Sequence, residues 1–344
     1  MYIAVICGGL SAERDVSIST GTGAARALRE RGHKVALIDL FLGDAAAVSD
    51  PRSAFTSDTE DAVYAVRETE PDLEKIRAQR GGDGLIGPGV LEICRTADIA
   101  FLALHGAEGE NGKLQACLDL YGIPYTGSGY LGSALAMDKE LSKALFHNDG
   151  IPTPPGVTLR RGERVPADIG FPCVVKPCSG GSSVGTSVVT EPEKLAPALE
   201  EAFACDDAVL VEKYIRSREL TVGVMDGRAM AVIEIIPKSG FYDYKNKYQA
   251  GLTEEICPAP ICAEDTERVQ RLAERVYRTL HLDAYGRVDF LMDKETGELY
   301  CLEANTLPGM TPTSLIPQMA AAEGMDYGAL CEKIIEVSLK KYKK

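Results

Sequence analysis

The chain has 344 residues, a formal net charge of −14, 45% hydrophobic residues and 26% charged residues. This balance describes a globular protein of two or three packed units. It excludes the basic surface that a nucleic acid or an anionic membrane requires. The ten cysteines form no CxxC pair, which argues against zinc. The length and the lack of a basic, apolar leader argue against a disulfide framework. Reduced thiols in a cytoplasmic protein are expected, and no apolar run reaches membrane-spanning length.

Residues 2–7 are apolar and β-branched and predict a strand, which Gly8-Gly9 turns. A helix from Ser11 or Asp15 to Gly32 and a strand in "KVALIDL" follow. The β–loop–α–β order predicts an open parallel sheet. The Gly-Gly turn is not GxGxxG, so a dinucleotide site is not expected. Residues 42–89 read as an irregular insertion with a short helix. "ADIAFLALHG" predicts a strand stopping at His105, residues 115–121 a helix, and "IPYTGSG" another strand. "SALAMDKELSKALFHNDG" reads as one helix closed by Gly150. "IPTPPG" is a turn at a seam between units.

From Phe171 the runs "PCVVKP", "TSVVTE", "AVLVEKYI", "RELTVGVMDG" and "AMAVIEIIP" predict antiparallel sheet, with a helix over 194–205. "SGFYDYKNKYQAGLTEE" has no period and reads as a long loop of the kind that forms lids. Residues 264–280 predict an amphipathic helix. "AYGRVDFLMD" and "ELYCLEAN" predict a hairpin, and residues 327–341 a last helix.

The chemistry concentrates in few places. A strand period of two puts Arg287 and Asp289 on one face, and Glu303 and Asn305 on one face of the partner strand. If the hairpin pairs them, one surface carries a guanidinium, two carboxylates and a carboxamide. Such hard oxygen donors suit Mg²⁺ holding a nucleotide's phosphates. Acids on a solvated strand give the same pattern; the apolar Val288, Phe290 and Leu302 between them mark one buried face and favour a site.

"VVKPCSGGSSVGTS" raises a second candidate. Lys176 ends a strand, and the glycines with Ser182 and Ser183 could form an oxyanion nest on a flexible flap. A plain Gly/Ser hairpin connection has the same composition. A Walker A loop is excluded, because it needs a following helix. Lys139 and Lys176, with "VEKYI", could bracket a nucleotide. The lysines would face phosphates, and Glu212 with the backbone of Lys213, Tyr214 and Ile215 would meet adenine and sugar. Cys178 beside the flap reads as incidental to the chemistry, although an open flap could expose it to alkylation.

The ordered run "MDK", "KP…GGSSVG", "EKYI…REL", "FYDYKNKY", "GRVDF" and "LEANTLPGMTPTSL" resembles the ATP-grasp ligases. Within them it resembles the D-alanine–D-alanine ligases, whose N-terminal motifs match "GGLSAERDVS", "LHGAEGENGKLQ" and "GIPYTGSG". The resemblance implies an α/β, three-domain ATP-grasp architecture: an N-terminal open parallel sheet over 1–127, and two α+β domains over 128–212 and 213–344 enclosing the ATP site. It implies ATP-dependent joining of two D-alanines through an acyl phosphate, for peptidoglycan synthesis in the cytoplasm. The implied partners are ATP, D-alanine, Mg²⁺ (or Mn²⁺) and a second copy of the chain.

The resemblance also assigns roles. Asp289, Glu303 and Asn305 would bind the metal, and Lys139, Lys176 and Lys247 the phosphates. Ser183, Glu212, Lys213, Tyr214, Ile215, Glu219, Phe241 and Leu302 would complete the nucleotide site, with Glu219 at the ribose. Arg287 and the Gly309 N–H would hold the oxyanion. Glu13 would meet the first substrate's ammonium, with His105 nearby, and Ser314 and Leu315 the second carboxylate. Glu13, Ser182 and Tyr248 would form a hydrogen-bonded trio fixing the lid. Lys247 and Tyr248 would set the preference for D-alanine as second substrate over D-lactate, with D-serine open. Gly180, where many members carry a larger residue, implies a looser flap. Another ATP-grasp carboxylate–amine ligase and a nucleotide-binding regulator are the competing classes. The first should lack "GGLSAER" and "LPGMTPTSL"; the second should have lost Arg287 or one of the three metal positions.

Overall fold

The computed structural model describes residues 1–56, 71–81, 84–181, 183–237 and 253–343. The fold is α/β, with one parallel and two antiparallel sheets. In the first sheet β1 (Tyr2–Cys7) lies between β2 (Lys34–Asp39) and β3 (Ile99–Leu102), all parallel. Ile3, Val5, Ile99 and Phe101 are wholly buried, as strands covered on both faces require. Helix α1 (Arg14–Glu30) covers this sheet. The insertion holds two 3₁₀ turns, Ala46–Val48 and Pro51–Phe55, and α2 (Leu73–Arg80). Helices α3 (Val90–Thr96), α4 (Ala107–Glu110) and α5 (Lys113–Leu120) complete this part.

Two expectations fail here for local reasons. "IPYTGSG" contributes a single bridge, Ala100 to Tyr125, rather than a strand. Pro124 has no N–H to donate, and Gly127 at φ +87° turns the chain away. The long helix expected up to Gly150 is two helices, α6 (Tyr130–Met137) and α7 (Lys139–Asn148). Asp138 breaks it in an extended conformation and caps α7, its carboxylate accepting from the N–H groups of Glu140 (2.9 Å) and Leu141 (3.0 Å). Lys139 thereby becomes the first residue of a helix.

The second sheet has the order β4-β7-β5-β6 and is antiparallel throughout. Its strands are β4 (Gly156–Arg160), β5 (Cys173–Pro177), β6 (Ser187–Val189) and β7 (Ala208–Lys213), and α8 (Leu195–Cys205) packs against one face. Edge strand β4 was not expected, because only Leu159 of its five residues is buried and it carries little apolar alternation. The β5–β6 connection is the Gly/Ser segment, between antiparallel strands as expected.

The third sheet has the order β10-β9-β8-β11-β12. These strands are β8 (Ser217–Met225), β9 (Arg228–Pro237), β10 (Thr253–Ile256), β11 (Tyr285–Asp293) and β12 (Leu299–Asn305). β10 occupies the end of the segment read as a long loop; residues 238–252 lie outside the described residues. Helix α9 (Ala263–Thr279) buries Val269, Ala273 and Val276 against the sheet, a helical spacing. Two more helices follow, α10 (Leu315–Ala322), which was not expected, and α11 (Tyr327–Leu339). α11 returns to the first sheet: Leu330 and Ile334 join its core, and Arg31 binds Asp326 at 2.6 Å and Glu332 at 2.9 Å. All ten cysteines are free.

Candidate active site

The hairpin of β11 and β12 pairs Arg287 opposite Asn305 and Asp289 opposite Glu303. The next pair is Phe290 with Cys301, so Leu302 is an extra residue on β12, a β-bulge. The bulge corrects the strict period of two: Leu302 does not share the buried face of Val288 and Phe290. Leu302 and Glu303 instead both line one cavity, while Cys301 turns into the core.

That cavity, of about 690 Å³, lies between the second and third sheets. Lys139, Lys176, Ser183 and Glu212 line one side, with the Lys213, Tyr214 and Ile215 segment at its edge. Glu219, Asp289, Leu302 and Glu303 line the other. Lys139, presented by the break at Asp138, reaches Gly180 O at 3.0 Å and Glu303 at 3.1 Å. Glu212 is 2% exposed and sits between two lysines. Lys176 approaches at 2.6 Å, and Lys143 donates to its other oxygen as well as to Thr153 Oγ1 (2.6 Å) and Pro154 O (3.0 Å). Burial pushes the Glu212 carboxyl up, but Lys176 and Lys143 reverse this and hold it below the usual range. Burial likewise lowers Lys176, yet Glu212 and Glu303 raise it above the ordinary lysine value.

Glu303, Asn305 and Arg287 also face a second cavity of about 420 Å³, shared with the N-terminal part of the chain. Glu13, His105 and Glu110 line its N-terminal side; Gly309, Ser314 and Leu315 line the other. Both nitrogens of the His105 ring are engaged. Nδ1 lies 2.9 Å from Leu307 O, which can only accept, so Nδ1 carries the proton and Nε2 accepts from Thr20 Oγ1 at 2.9 Å. Burial lowers its pKa further against the raising influence of Glu13. His105 is thus a neutral strut that also walls the cavity. Glu110 is pushed well above the usual carboxyl range by burial and by Glu13. Ser314 Oγ accepts from Thr311 N–H at 3.0 Å, and a Cβ on Gly309 would stand 2.8 Å from that oxygen. Only glycine lets this loop close onto the start of α10.

Arg287 forms a bidentate pair with Asp289, at 2.9 and 2.8 Å, and Thr221 Oγ1 donates to Asp289 at 2.6 Å. Asn305 Oδ1 is buried and has no hydrogen-bond partner among the described residues. An orphaned carboxamide oxygen beside two carboxylates fits a hard divalent cation. Asp289 is heavily engaged, but two carboxylate oxygens offer about four acceptor sites.

Ser182, Phe241, Lys247 and Tyr248 lie outside the described residues. Cys178 is 1% exposed, with its thiol pushed up to about 11 by burial, which fits a cysteine incidental to the chemistry. Lys143 and Glu110 were missed. Both had a signal: Lys143 is four residues beyond Lys139, on the same helix face, and Glu110 stands inside "LHGAEGE".

Two antiparallel sheets closing on a lysine-lined cavity, with a carboxylate hairpin at its inner end, define an ATP-grasp ligase architecture. Residues 2–128 match the family model for the D-ala D-ala ligase N-terminus, and residues 145–336 that for its C-terminus. The D-alanine–D-alanine ligase of Pediococcus pentosaceus is 44% identical over 97% of each chain. That of Lacticaseibacillus casei is 42% identical over 99% of this chain and 97% of its own. The crystal structure of the Bacillus anthracis ligase complexed with ATP superposes with a TM-score of 0.77 at 32% identity, covering 100% of this chain and 99% of that one. The chain belongs to the D-alanine–D-alanine ligase family.

Proposed function

We propose that the protein joins two D-alanine molecules to D-alanyl-D-alanine at the expense of ATP, as a cytoplasmic step of peptidoglycan synthesis. The observation that carries this is the single charged hairpin face, Arg287, Asp289, Glu303 and Asn305, standing where the two cavities meet. ATP occupies the larger cavity, its phosphates toward Lys139 and Lys176, its base toward Glu212 and residues 213–215, its ribose toward Glu219. The first D-alanine occupies the smaller one, its ammonium toward Glu13 and its carboxylate toward Arg287.

A carboxylate resists attack by an amine. Its oxygen therefore attacks the γ-phosphorus, ADP leaves, and the acyl phosphate has a good leaving group. The second amine attacks the acyl carbon, the C–N bond forms, phosphate departs, and a proton is released. Arg287 and the Gly309 N–H stabilise the oxyanion. Ser314 and the N–H of Leu315, at the start of α10, hold the second carboxylate. Asp289, Glu303 and Asn305 would hold Mg²⁺, which when bound offsets phosphate charge. Enclosure by the two sheets keeps water from the acyl phosphate.

The remaining expectations enter as part of the same proposal. The domains divide at 127/128 and 212/213. Exposed Leu120, Tyr121, Tyr130 and Leu131 on α5 and α6 support a homodimer. No helix among the described residues is long and apolar enough to cross a membrane.

The test is phosphate release from ATP with D-alanine or L-alanine, with the product identified by mass. Release and dipeptide with D-alanine alone are expected; release with neither overturns the proposal. Chelating divalent cations should halt the reaction, and magnesium should restore it.

A further inference from the structure

The smaller cavity carries an acid that none of the above uses. Glu255, on β10, lines it on the side of the 311–315 loop. It is half-buried, and its Oε2 accepts from Gln318 Nε2. The same Gln318 nitrogen donates to Thr313 O at 2.9 Å. Gln318 thus ties the carboxylate to the loop that leads into α10. Among the described residues, Arg287, which lines the same cavity, acts on it electrostatically.

Six charged side chains line the cavity: Glu13 and Glu110 on its N-terminal side, Lys139 and Glu303 where it adjoins the larger cavity, Arg287, and Glu255 near the N-terminus of α10. One amino acid needs one anionic and one cationic contact. With Lys139 and Glu303 paired to each other at 3.1 Å, Glu13 with Arg287 and Glu255 with the start of α10 form two such sets, which matches two zwitterions. If the first ammonium goes to Glu13 and the second carboxylate to the start of α10, the second ammonium falls on the Glu255 side. Burial raises the Glu255 carboxyl pKa, so its ionised form gains from a cationic partner.

We propose that Glu255 is a specificity-determining residue that holds the amino group of the second substrate and so selects an amino acid over a 2-hydroxy acid. This rests on the ligase reading and adds the residue that recognises the acceptor. A hydroxy acid in that place would leave the carboxylate without its cation, and a site built for a hydrogen bond discriminates strongly against a ligand lacking it. Selection thus resides partly in β10 of the third sheet, and not in Lys247 and Tyr248 alone.

The experiment uses the full chain with ATP, magnesium and D-alanine, and compares Glu255→Gln and Glu255→Asp with the wild type. Two KM values for D-alanine, the KM for ATP, and the ratio of dipeptide to D-alanyl-D-lactate from mixed acceptors are read. Glu255→Gln should raise the KM of the second D-alanine about tenfold. It should lower the dipeptide preference by a similar factor and leave the KM values for ATP and the first D-alanine unchanged. Glu255→Asp, which withdraws the carboxylate by one carbon, should fall between; if the Gln variant does not fold, the Asp variant gives the same reading. Wild-type acceptor KM and selectivity in a folded variant overturn the inference alone. A wild type that makes no dipeptide overturns the ligase reading, and this inference with it.

Discussion

The two cavities meet at one hairpin but treat buried charge in opposite ways. In the larger one the buried acid is already neutralised: Glu212 lies between Lys176 and Lys143 and is held below the usual carboxyl range. In the smaller one Glu110 and Glu255 have no salt bridge among the described residues. Burial raises Glu110, with Glu13 raising it further, and burial raises Glu255. The difference suits what the proposed function has each cavity receive. A polyphosphate would bring negative charge and meet lysines fixed in advance. A zwitterion brings its own ammonium, and the wall leaves an acid to be completed by it. Preorganisation on one side and deferred neutralisation on the other are both ways of making binding favourable.

The largest effect should come from cutting the point the two cavities share. Arg287→Met should lower turnover by about 10²–10³-fold, the scale of losing one oxyanion donor. The KM for ATP should change little, as read by coupled ADP release; a large rise in that KM would place Arg287 on the nucleotide side. Next is Lys143→Met, which removes one of two cations from a carboxylate that is 2% exposed. It should raise the KM for ATP roughly tenfold and lower stability by about 1–3 kcal/mol, the cost of one unsatisfied buried partner. The KM values for D-alanine should stay the same.

Gly156→Ala probes the same wall from behind. Its Cβ would stand 2.8 Å from Glu212 Cγ and 2.8 Å from Val211 O. A loss of about 1–2 kcal/mol in denaturant unfolding is expected from such overpacking, with a smaller rise in the KM for ATP than Lys143→Met gives.

The smallest effect concerns the uncompensated acid. A carboxyl whose folded pKa is raised binds its proton more tightly in the native state. Its stabilising contribution is full below the unfolded value of 4.5 and is lost as pH rises through the folded value. Glu110→Gln should therefore leave stability nearly unchanged near pH 4 and raise it near pH 8. A gain independent of pH would show that packing, and not ionisation, governs Glu110.

The elements that the sequence revealed best were those with a strong period or a dense motif. β1, α1, α9 and the β11–β12 hairpin stand where an apolar run, helix start and stop residues, amphipathic spacing and strand alternation placed them, and the hairpin carries the residues proposed for the metal and the oxyanion. Two of the failures share a cause: one residue overriding a pattern. Asp138 ends a helix that its neighbours would continue, because its carboxylate satisfies two N–H groups. Leu302 breaks a strand alternation because the bulge adds a residue. β4 escaped because an exposed edge strand has little to alternate. The pairing of Lys143 with Glu212, 69 positions apart, follows from tertiary packing alone; i+4 spacing from Lys139 told which face it shares, not which acid it meets.

The return of α11 to the first sheet has a consequence for synthesis. Leu330, Ile334 and Ile335 join a core that also holds Ile3, Val5 and Phe101 from the first third of the polypeptide. During translation that core must wait with part of its apolar surface uncovered until residues 327–339 emerge from the ribosome. The nascent N-terminal region is then the part with most need of a chaperone, whereas the second sheet, with a core drawn from residues 157–211, can close while the rest is still being made.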